Sequence, residues 1–144
     1  MVKIVKKNDV KNFVQILKNT YPDATCSLDF ETPFQMVVAV MLSAQCTDER
    51  VNKTTPKLFE RCKTIRDFAN IDITELESII HPCGFYKNKA KNIKLCATQV
   101  IENFNGEVPR TMNELLSLAG VGRKSANVIL LEAFGIANGI AVDT

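Results

Sequence analysis

The stretch Leu118–Thr144, "LAGVGRKSANVILLEAFGIANGIAVDT", decides the fold because it sets a glycine turn between two short helical segments. Gly120 and Gly122 lie in this turn, and glycine allows the positive φ and the close backbone approach that a tight turn needs. Lys124 follows two residues later, and Asp143 is the last residue but one. The pattern predicts two helices that meet at a tight turn, with a lysine at the start of the second helix.

The predicted turn has the properties of an anion site. A helix that begins directly after it exposes unpaired backbone N–H groups and the positive end of the helix dipole, which suit a phosphate oxygen. Val121 is expected to point into the core, and Ala126 keeps the helix face small where the two helices cross. A plain helical hairpin with a glycine turn is the alternative. The small residue and the basic pair Arg123–Lys124 favour a helix-hairpin-helix, which holds the DNA backbone without reading base sequence.

Composition sets few limits on partners. The 144 residues suffice for one domain with a real core, and 46% hydrophobic with 24% charged residues is typical of globular proteins. The net charge of +2 is too small to argue for nucleic acid. Lysines cluster near the N-terminus and again in one later stretch, where a solvated face is the first explanation. That later cluster contains Lys87, Lys89, Lys91 and Lys94.

The cysteines argue against a metal site, and the chain carries no membrane signal. An odd number of cysteines without ligand spacing predicts reduced thiols in a cytosolic protein. They are Cys26, Cys46, Cys62, Cys83 and Cys96. No stretch reaches the ~20 apolar residues of a membrane span. The N-terminus lacks the apolar region of a secretory signal. We therefore expect no membrane partner.

Helical periodicity runs through nearly the whole chain, and no strand-like alternation persists. This pattern predicts an all-α fold, a multi-helix bundle. A first helix is expected from near Val10 to near Tyr21, and a central apolar helix is expected from Pro33, capped by Thr32, to about Ala44. The next helix is capped by Thr47 or Asp48, and Pro56 is expected to kink or split it. A turn is expected at about 64–68, and a capping box Asp72–Glu75 follows it. The remaining predicted elements are a long helix from Tyr86 to about Phe104, a helix that begins with the capping box Thr111–Glu114 and ends at Leu118, and a last helix from Arg123 to about Phe134.

Lys124 and Asp143 together suggest chemistry at a sugar carbon. The positive end of a helix disfavours the ammonium form of a lysine, and the neutral amine is the form that makes a Schiff base. A carboxylate that folds back near the sugar can stabilise positive charge at C1′ and move protons. The simpler alternatives are a phosphate or solvent contact for Lys124 and a solvated chain end for Asp143. A base-excising lyase needs both groups, whereas a binding module needs only the glycines.

At this point the sequence resembles endonuclease III. The resemblance is carried by the stretch from Leu118 and by "MLSAQCTDERVNKTTPKLF", "GFYKNKAKNI" and "NGEVP", which follow in the family's order over about Val10–Thr144. It implies a bifunctional DNA glycosylase and abasic-site β-lyase of base excision repair that removes oxidised pyrimidines. The implied partner is duplex DNA with damaged bases or abasic sites. The alternative is a non-catalytic helix-hairpin-helix DNA-binding domain.

The resemblance also assigns roles to residues. Lys124 is implied as the Schiff-base nucleophile and Asp143 as the catalytic acid. An extruded nucleotide leaves a hole in the duplex that side chains must fill. Gln45 is implied to enter that hole, and Phe85 stands where the family places a wedge that is more often aliphatic. The DNA-binding residues implied in this way are Gln45, Phe85, Gly120, Val121, Gly122 and Arg123. Taken alone, Gln45 would be explained as a polar residue at a helix end.

Family members continue past the aspartate with a segment that binds a 4Fe-4S cluster through four closely spaced cysteines. No cysteines here have that spacing, so we expect no cofactor in this chain and a cluster only in a full-length member. The predicted domains are residues 1–24, a helix of an incomplete second lobe, and 25–144, a helical core with the helix-hairpin-helix at about 111–134. The chain is therefore expected to be a C-terminally truncated fragment with weak or no activity.

The expected surroundings follow from the same resemblance. The chain is expected to be a monomer that can self-associate through the apolar face of its first helix. The expected compartment is the cytoplasm, with association to the nucleoid in a bacterium.

Overall fold

The computed structural model describes residues 28–135, and in this range the chain is helical with no strand. The prediction of an all-α fold is confirmed. The predicted first helix and Asp143 lie outside the described residues. The elements are α1 (Pro33–Leu42), α2 (Asp48–Arg61), α3 (Ile65–Asn70), α4 (Ile73–Ile80), a 3₁₀ turn (His81–Cys83), α5 (Tyr86–Asn103), α6 (Met112–Leu116) and α7 (Arg123–Phe134). None of these helices is long and apolar enough to cross a membrane.

Helix α1 is the centre of the described bundle. It begins as predicted, because the Thr32 hydroxyl accepts a hydrogen bond from the Gln35 N–H at 3.2 Å and Pro33 occupies the first helical position. Every residue from Met36 to Leu42 is buried, and the helix packs against α2, α5 and α7. Burial of each large apolar side chain contributes about 1.5–3 kcal/mol, so this helix fixes the positions of its neighbours.

Helix α2 runs without interruption through Pro56, which excludes a split; the kink, the other expected effect of this proline, stays a prediction. Proline removes one backbone donor, the one that would bond the carbonyl of Asn52. The two halves of the helix are held by tertiary packing, because Val51 and Leu58, on either side of the proline, are completely buried. Packing against α1 and α4 therefore outweighs the local cost of the proline.

Residues 65–70 form a helix and not the expected turn. The Thr64 hydroxyl accepts from the Asp67 N–H at 3.2 Å, and the Asp67 carboxylate accepts from the Thr64 N–H at 3.1 Å. This is a complete capping box in which aspartate takes the position usually held by glutamate or glutamine. The backbone N–H groups of Lys63 and Thr64 both donate to the Asp67 carboxylate, and these two hydrogen bonds lower its pKa.

The two predicted capping boxes are only half correct. Asp72 does cap α4, but it accepts from the Thr74 N–H at 3.0 Å, while Glu75 forms an ion pair with Arg61 at 2.7 Å. Thr111 does cap α6, and its hydroxyl also donates to the Glu114 carboxylate at 2.7 Å. The glutamates have better partners than the N-cap backbone N–H, so neither box closes. Helix α6 also ends at Leu116, before the predicted Leu118.

The solvated-face explanation fails for two of the four lysines on α5. The Lys94 ammonium donates to the carbonyl of Ala69 at 3.0 Å and to that of Ile71, which closes the C-terminal end of α3. Cationic side chains suit that position because the last carbonyls of a helix lack intrahelical partners. Lys94 is partly buried, and Lys89 is buried, with 7% of its surface exposed. Lys87 and Lys91 are exposed, as the solvated-face explanation requires.

Candidate functional site

The predicted hairpin forms between α6 and α7, which pack directly against each other. Val121 is buried, and its N–H donates to the carbonyl of Leu118 at 3.3 Å. Ala126 is completely buried, and its N–H donates to the Gly122 carbonyl at 2.8 Å, which starts the second helix. The turn is thus held from inside by an apolar side chain and by its own backbone.

The two glycines of the turn differ. Gly120 has φ 78°, and a Cβ atom added there would lie 2.6 Å from Cε of Met41 and 3.1 Å from Cβ of Asn92. Gly122 has an extended backbone, with φ −98° and ψ −177°, and a Cβ atom there would meet nothing within 4 Å. Of these two, only Gly120 therefore needs glycine for the fold, because the extended backbone and open surroundings of Gly122 admit a side chain.

Helix α7 presents its N-terminus on the outside of the hairpin. Gly122 is its N-cap residue and has no side chain that could accept from the first N–H groups. Arg123 and Lys124 occupy the first turn, and both are exposed. The helix continues for 12 residues until Gly135, so the positive end of its dipole faces outward beside two basic side chains.

A cleft of about 220 Å³ lies where the end of α1, the start of α5 and the hairpin meet. Its lining residues are Met41, Ala44, Gln45, Phe85, Asn88, Lys89, Asn92 and Gly120. Gln45, Phe85 and Gly120, three residues that the sequence analysis singled out, therefore line the same cleft. Lys124 is not part of that lining and lies four residues beyond Gly120 along the chain. Asp143 lies outside the described residues.

Gln45 and Phe85 share an uncommon backbone conformation. Both have a left-handed φ, 54° at Gln45 and 47° at Phe85. Only a few per cent of residues other than glycine adopt this conformation, and it persists where the surrounding structure enforces it. Phe85 is also 66% exposed, although it is one of the largest apolar side chains in the chain. Two strained residues and an exposed ring at one cleft indicate a contact surface rather than a core.

Lys89 connects the segments that carry these two residues. Its ammonium donates to the carbonyls of Leu42 at 2.9 Å, Ala44 at 2.8 Å and Cys83 at 3.0 Å. Its backbone N–H donates to the carbonyl of Phe85 at 3.0 Å. Burial lowers the pKa of the Lys89 ammonium, and the neighbouring thiols of Cys46 and Cys83 act in the opposite direction.

Lys89 is not among the predicted site residues, although the sequence contains a signal for it. The buried face of α5 includes Lys89, Ile93, Cys96 and Val100, which follow the 3.6-residue period of a helix. A lysine in the register of a core face must have its charge satisfied inside the protein. That rule separates Lys89 from Lys87 and Lys91, which fall on the exposed side.

Within residues 28–135, no group of three or more histidine, cysteine or acidic side chains is placed to hold a metal ion. Cys46, Cys62, Cys83 and Cys96 are free thiols. Burial raises the pKa of Cys62 to about 11 and that of Cys96 to about 12. Cys62, Cys83 and Cys96 are buried and Cys46 is partly buried, and no three of them are grouped as the ligand set of a 4Fe-4S cluster requires, so these residues do not fit that group.

Comparison with known proteins agrees with the helical fold and with the hairpin between α6 and α7. A family model described as "HhH-GPD superfamily base excision DNA repair protein" matches residues 38–144. A protein of Synechocystis sp. named endonuclease III is 55% identical over 139 residues, which are 96% of this chain and 64% of that protein. Endonuclease III of Bacillus subtilis is 49% identical over 124 residues, 86% of this chain and 56% of that protein.

Solved structures agree with these sequences. One described as "Structure of a non-covalent Endonuclease III-DNA Complex" has a TM-score of 0.81 and 45% identity, and it covers 98% of this chain and 65% of that chain. Another, "Structure of a Trapped Endonuclease III-DNA Covalent Intermediate: Estranged-Adenine Complex", also has a TM-score of 0.81. The resemblance drawn from the sequence is confirmed. The chain spans between 56% and 65% of the length of the first relatives and of the first solved structure.

Proposed function

The chain belongs to the HhH-GPD superfamily of base excision DNA repair proteins, and we propose that it is the core of a DNA glycosylase and abasic-site lyase. The observation that supports this most is the cleft. Gln45 and Phe85 are 40 positions apart in the sequence, yet both line it, next to Gly120 of the hairpin. A base-excising enzyme must hold the DNA backbone and, beside that contact, fill the space that the extruded nucleotide leaves in the duplex. The hairpin is proposed for the first function, and Gln45 and Phe85 for the second.

The hairpin supplies the hold on the backbone. The N–H groups at the start of α7 and the positive end of its dipole bind a phosphate, with Gly122 allowing close approach and Arg123 adding charge. Gly120 and Val121 shape the turn, since the Val121 N–H already bonds Leu118. Because phosphates carry no sequence information, this contact positions the protein without selecting bases.

Gln45 and Phe85 occupy the space left by the extruded nucleotide. Unstacking a nucleotide costs a few kcal/mol, and stacking of a base on an aromatic ring returns about 1–3 kcal/mol. The exposed ring of Phe85 suits that stacking, and the amide of Gln45 can hydrogen bond the edge of the unpaired base. The aromatic wedge differs from the aliphatic one usual in the family and contributes a larger flat surface.

Lys124 carries the covalent step in this proposal. Its neutral amine adds to C1′, and the damaged base leaves with its bonding electron pair and a proton. The C1′–O4′ bond of the sugar ring then opens, O4′ takes up a proton, and C1′ becomes an iminium joined to Lys124. This iminium acidifies the C2′ proton, and loss of that proton expels the 3′ phosphate by β-elimination. Water then releases the enzyme by hydrolysis of the imine. Asp143 is proposed to stabilise charge at C1′ and to move the protons, and oxidised pyrimidines are the proposed bases.

Reduction of the imine tests this function. The chain is incubated with a duplex that has one abasic site, borohydride is added, and a covalent complex is sought on a denaturing gel. We expect a complex with the parent chain and with Lys91→Ala, an exposed lysine outside the cleft, but none with Lys124→Ala. A complex that persists in Lys124→Ala contradicts the assigned nucleophile. Salt-dependent duplex binding without any complex would instead identify a non-catalytic helix-hairpin-helix domain.

A further inference from the structure

We propose that Lys89 is a positioning residue that sets the spacing between Gln45 and Phe85, so that both enter the duplex together. The inference rests on the proposed function for its DNA readout, but its structural basis is independent of DNA. Four hydrogen bonds from this one residue reach two segments of chain. Three come from the buried ammonium and one from the backbone N–H.

The acceptors of these bonds lie in or within three residues of the two proposed wedge residues. The carbonyl of Ala44 belongs to the peptide that joins Ala44 to Gln45, and the carbonyl of Leu42 is at the end of α1. On the other side, Cys83 lies two residues before Phe85, and the carbonyl of Phe85 itself accepts from the Lys89 backbone. A shift of either segment therefore breaks at least one bond to Lys89.

An ammonium group suits this junction for a chemical reason. Lysine offers three donors and no acceptor, and here each donor meets one carbonyl. The carbonyls at the end of α1 lack intrahelical partners and carry the negative end of the helix dipole. No uncharged side chain of the same length presents three donors. The junction therefore depends both on the positive charge of the ammonium group and on its three donor directions.

The junction also explains how two strained residues persist. Gln45 and Phe85 both have a left-handed φ, and Phe85 is the N-cap of α5 without a side-chain cap. Such conformations need surrounding contacts that outweigh their local cost. The Lys89 ammonium holds the carbonyl of Ala44, which directly precedes Gln45, and the carbonyl of Cys83, two residues before Phe85, and it lines the cleft between them. Without it, we expect each segment to relax separately.

The chain offers a matched control in Lys94. It is on the same helix and its ammonium also donates to two backbone carbonyls, but those belong to Ala69 and Ile71, at the end of α3. Lys89→Met and Lys94→Met each keep the unbranched stem and remove the donors. Both are expected to lower stability, so a general loss of stability cannot account for a difference between them at the cleft.

The first readout is amide hydrogen exchange in the free protein. In Lys89→Met, exchange is expected to rise about tenfold or more in residues 43–47 and 84–87 together, since both segments lose their common anchor. In Lys94→Met, the rise is expected at 69–73 and not at the cleft. Unchanged exchange of the cleft segments in folded Lys89→Met overturns the proposal.

The second readout is discrimination between an abasic and an intact duplex. In Lys89→Met, the ratio of the affinities for abasic and intact duplex is expected to fall about tenfold. The affinity for the intact duplex should equal that of the parent, because the hairpin makes that contact. Lys94→Met is expected to keep both. A Lys89→Met variant with the full preference contradicts the positioning role. If the parent chain itself shows no preference, the proposed function fails, while hydrogen exchange still decides the role of Lys89.

A measurement on the parent chain covers the case in which Lys89→Met does not fold. With ¹⁵N-labelled lysine, a buried ammonium bonded to three carbonyls is expected to keep its protons far longer than exposed Lys87 and Lys91, and to give a resolved signal by nuclear magnetic resonance. A Lys89 ammonium that exchanges as fast as those surface groups overturns the proposal.

Discussion

At the scale of single residues, the site depends on positions where the backbone leaves its usual range. Gln45, Phe85 and Gly120 all have positive φ and all line the cleft, but only one of them is a glycine. The other two are exposed, and the Lys89 ammonium holds a backbone carbonyl next to or near each of them, at Ala44 and at Cys83. Substitutions at these residues therefore separate the effect on the fold from the effect on DNA.

Phe85 should matter to DNA binding and little to folding. Because its ring is 66% exposed, Phe85→Ala removes little buried surface, and we expect the free energy of unfolding to change by less than about 0.5 kcal/mol. Affinity for an abasic duplex should fall about tenfold with loss of stacking of about 1–3 kcal/mol. Fluorescence anisotropy and thermal unfolding measure the two effects. Phe85→Leu should keep much of the affinity, and an affinity equal to the parent's in Phe85→Ala would refute the wedge.

The two hairpin glycines should respond in opposite ways. Gly120→Ala places a Cβ atom 2.6 Å from Cε of Met41 at a φ of 78°, so we expect a loss of stability of about 1–3 kcal/mol. Gly122→Ala has open space and an ordinary φ, so the variant should fold normally. Its affinity for intact duplex should fall, because the added methyl group hinders the close approach of the phosphate to the start of α7. Chemical denaturation and duplex titration measure both. Equal losses of stability in the two variants would contradict the division of roles between them.

At the scale of helices, local signals predicted where most elements begin, and tertiary contacts decided the exceptions. The Thr32 cap and the Arg123–Phe134 helix were predicted correctly from caps and periodicity. For α2, the sequence left open whether Pro56 kinks or splits the helix, because the burial of Val51 and Leu58 that accompanies its continuity is a property of the assembled bundle. Helix α3 was missed because its capping box ends in Asp67 rather than glutamate.

The cap of α3 gives a direct test at this scale. Thr64→Ala removes the hydroxyl that accepts from the Asp67 N–H, and we expect a loss of about 1 kcal/mol in the free energy of unfolding. Thr64→Ser keeps the acceptor and should retain most of that stability. Urea denaturation of the two variants side by side measures the difference, and equal stability would show that the capping box contributes nothing.

At the scale of the whole molecule, periodicity and the hairpin motif predicted the helical fold, and the resemblance predicted that Gln45, Phe85 and the hairpin act together. The sequence could not place Lys89, because its acceptors come from segments more than 40 positions apart. Contacts of that kind depend on how α1 and α5 pack. The pattern of buried positions shows only that a lysine lies on a core face, not which carbonyls it meets.

The buried thiols give the core a dependence on pH. Burial raises the pKa of Cys96 from 9.0 to about 12, so between these values the folded chain holds a proton that the unfolded chain has lost. The contribution of this thiol to the free energy of unfolding is therefore fully present below pH 9, and it is lost as the pH rises towards 12. We expect Cys96→Ala to show a shallower loss of stability than the parent from pH 9 to 11. Parallel slopes would contradict the burial of this thiol.

The central claim is that Lys124 at the start of α7 forms the covalent bond to DNA, and peptide mapping of the borohydride-reduced complex tests it most directly. The chain is trapped on an abasic duplex, digested with protease and nuclease, and the modified peptide is sequenced by mass spectrometry. We expect the sugar remnant on the Nζ atom of Lys124 and on no other amine. A remnant on Lys89, Lys91 or the chain's N-terminal amine, with Lys124 unmodified, would contradict the account.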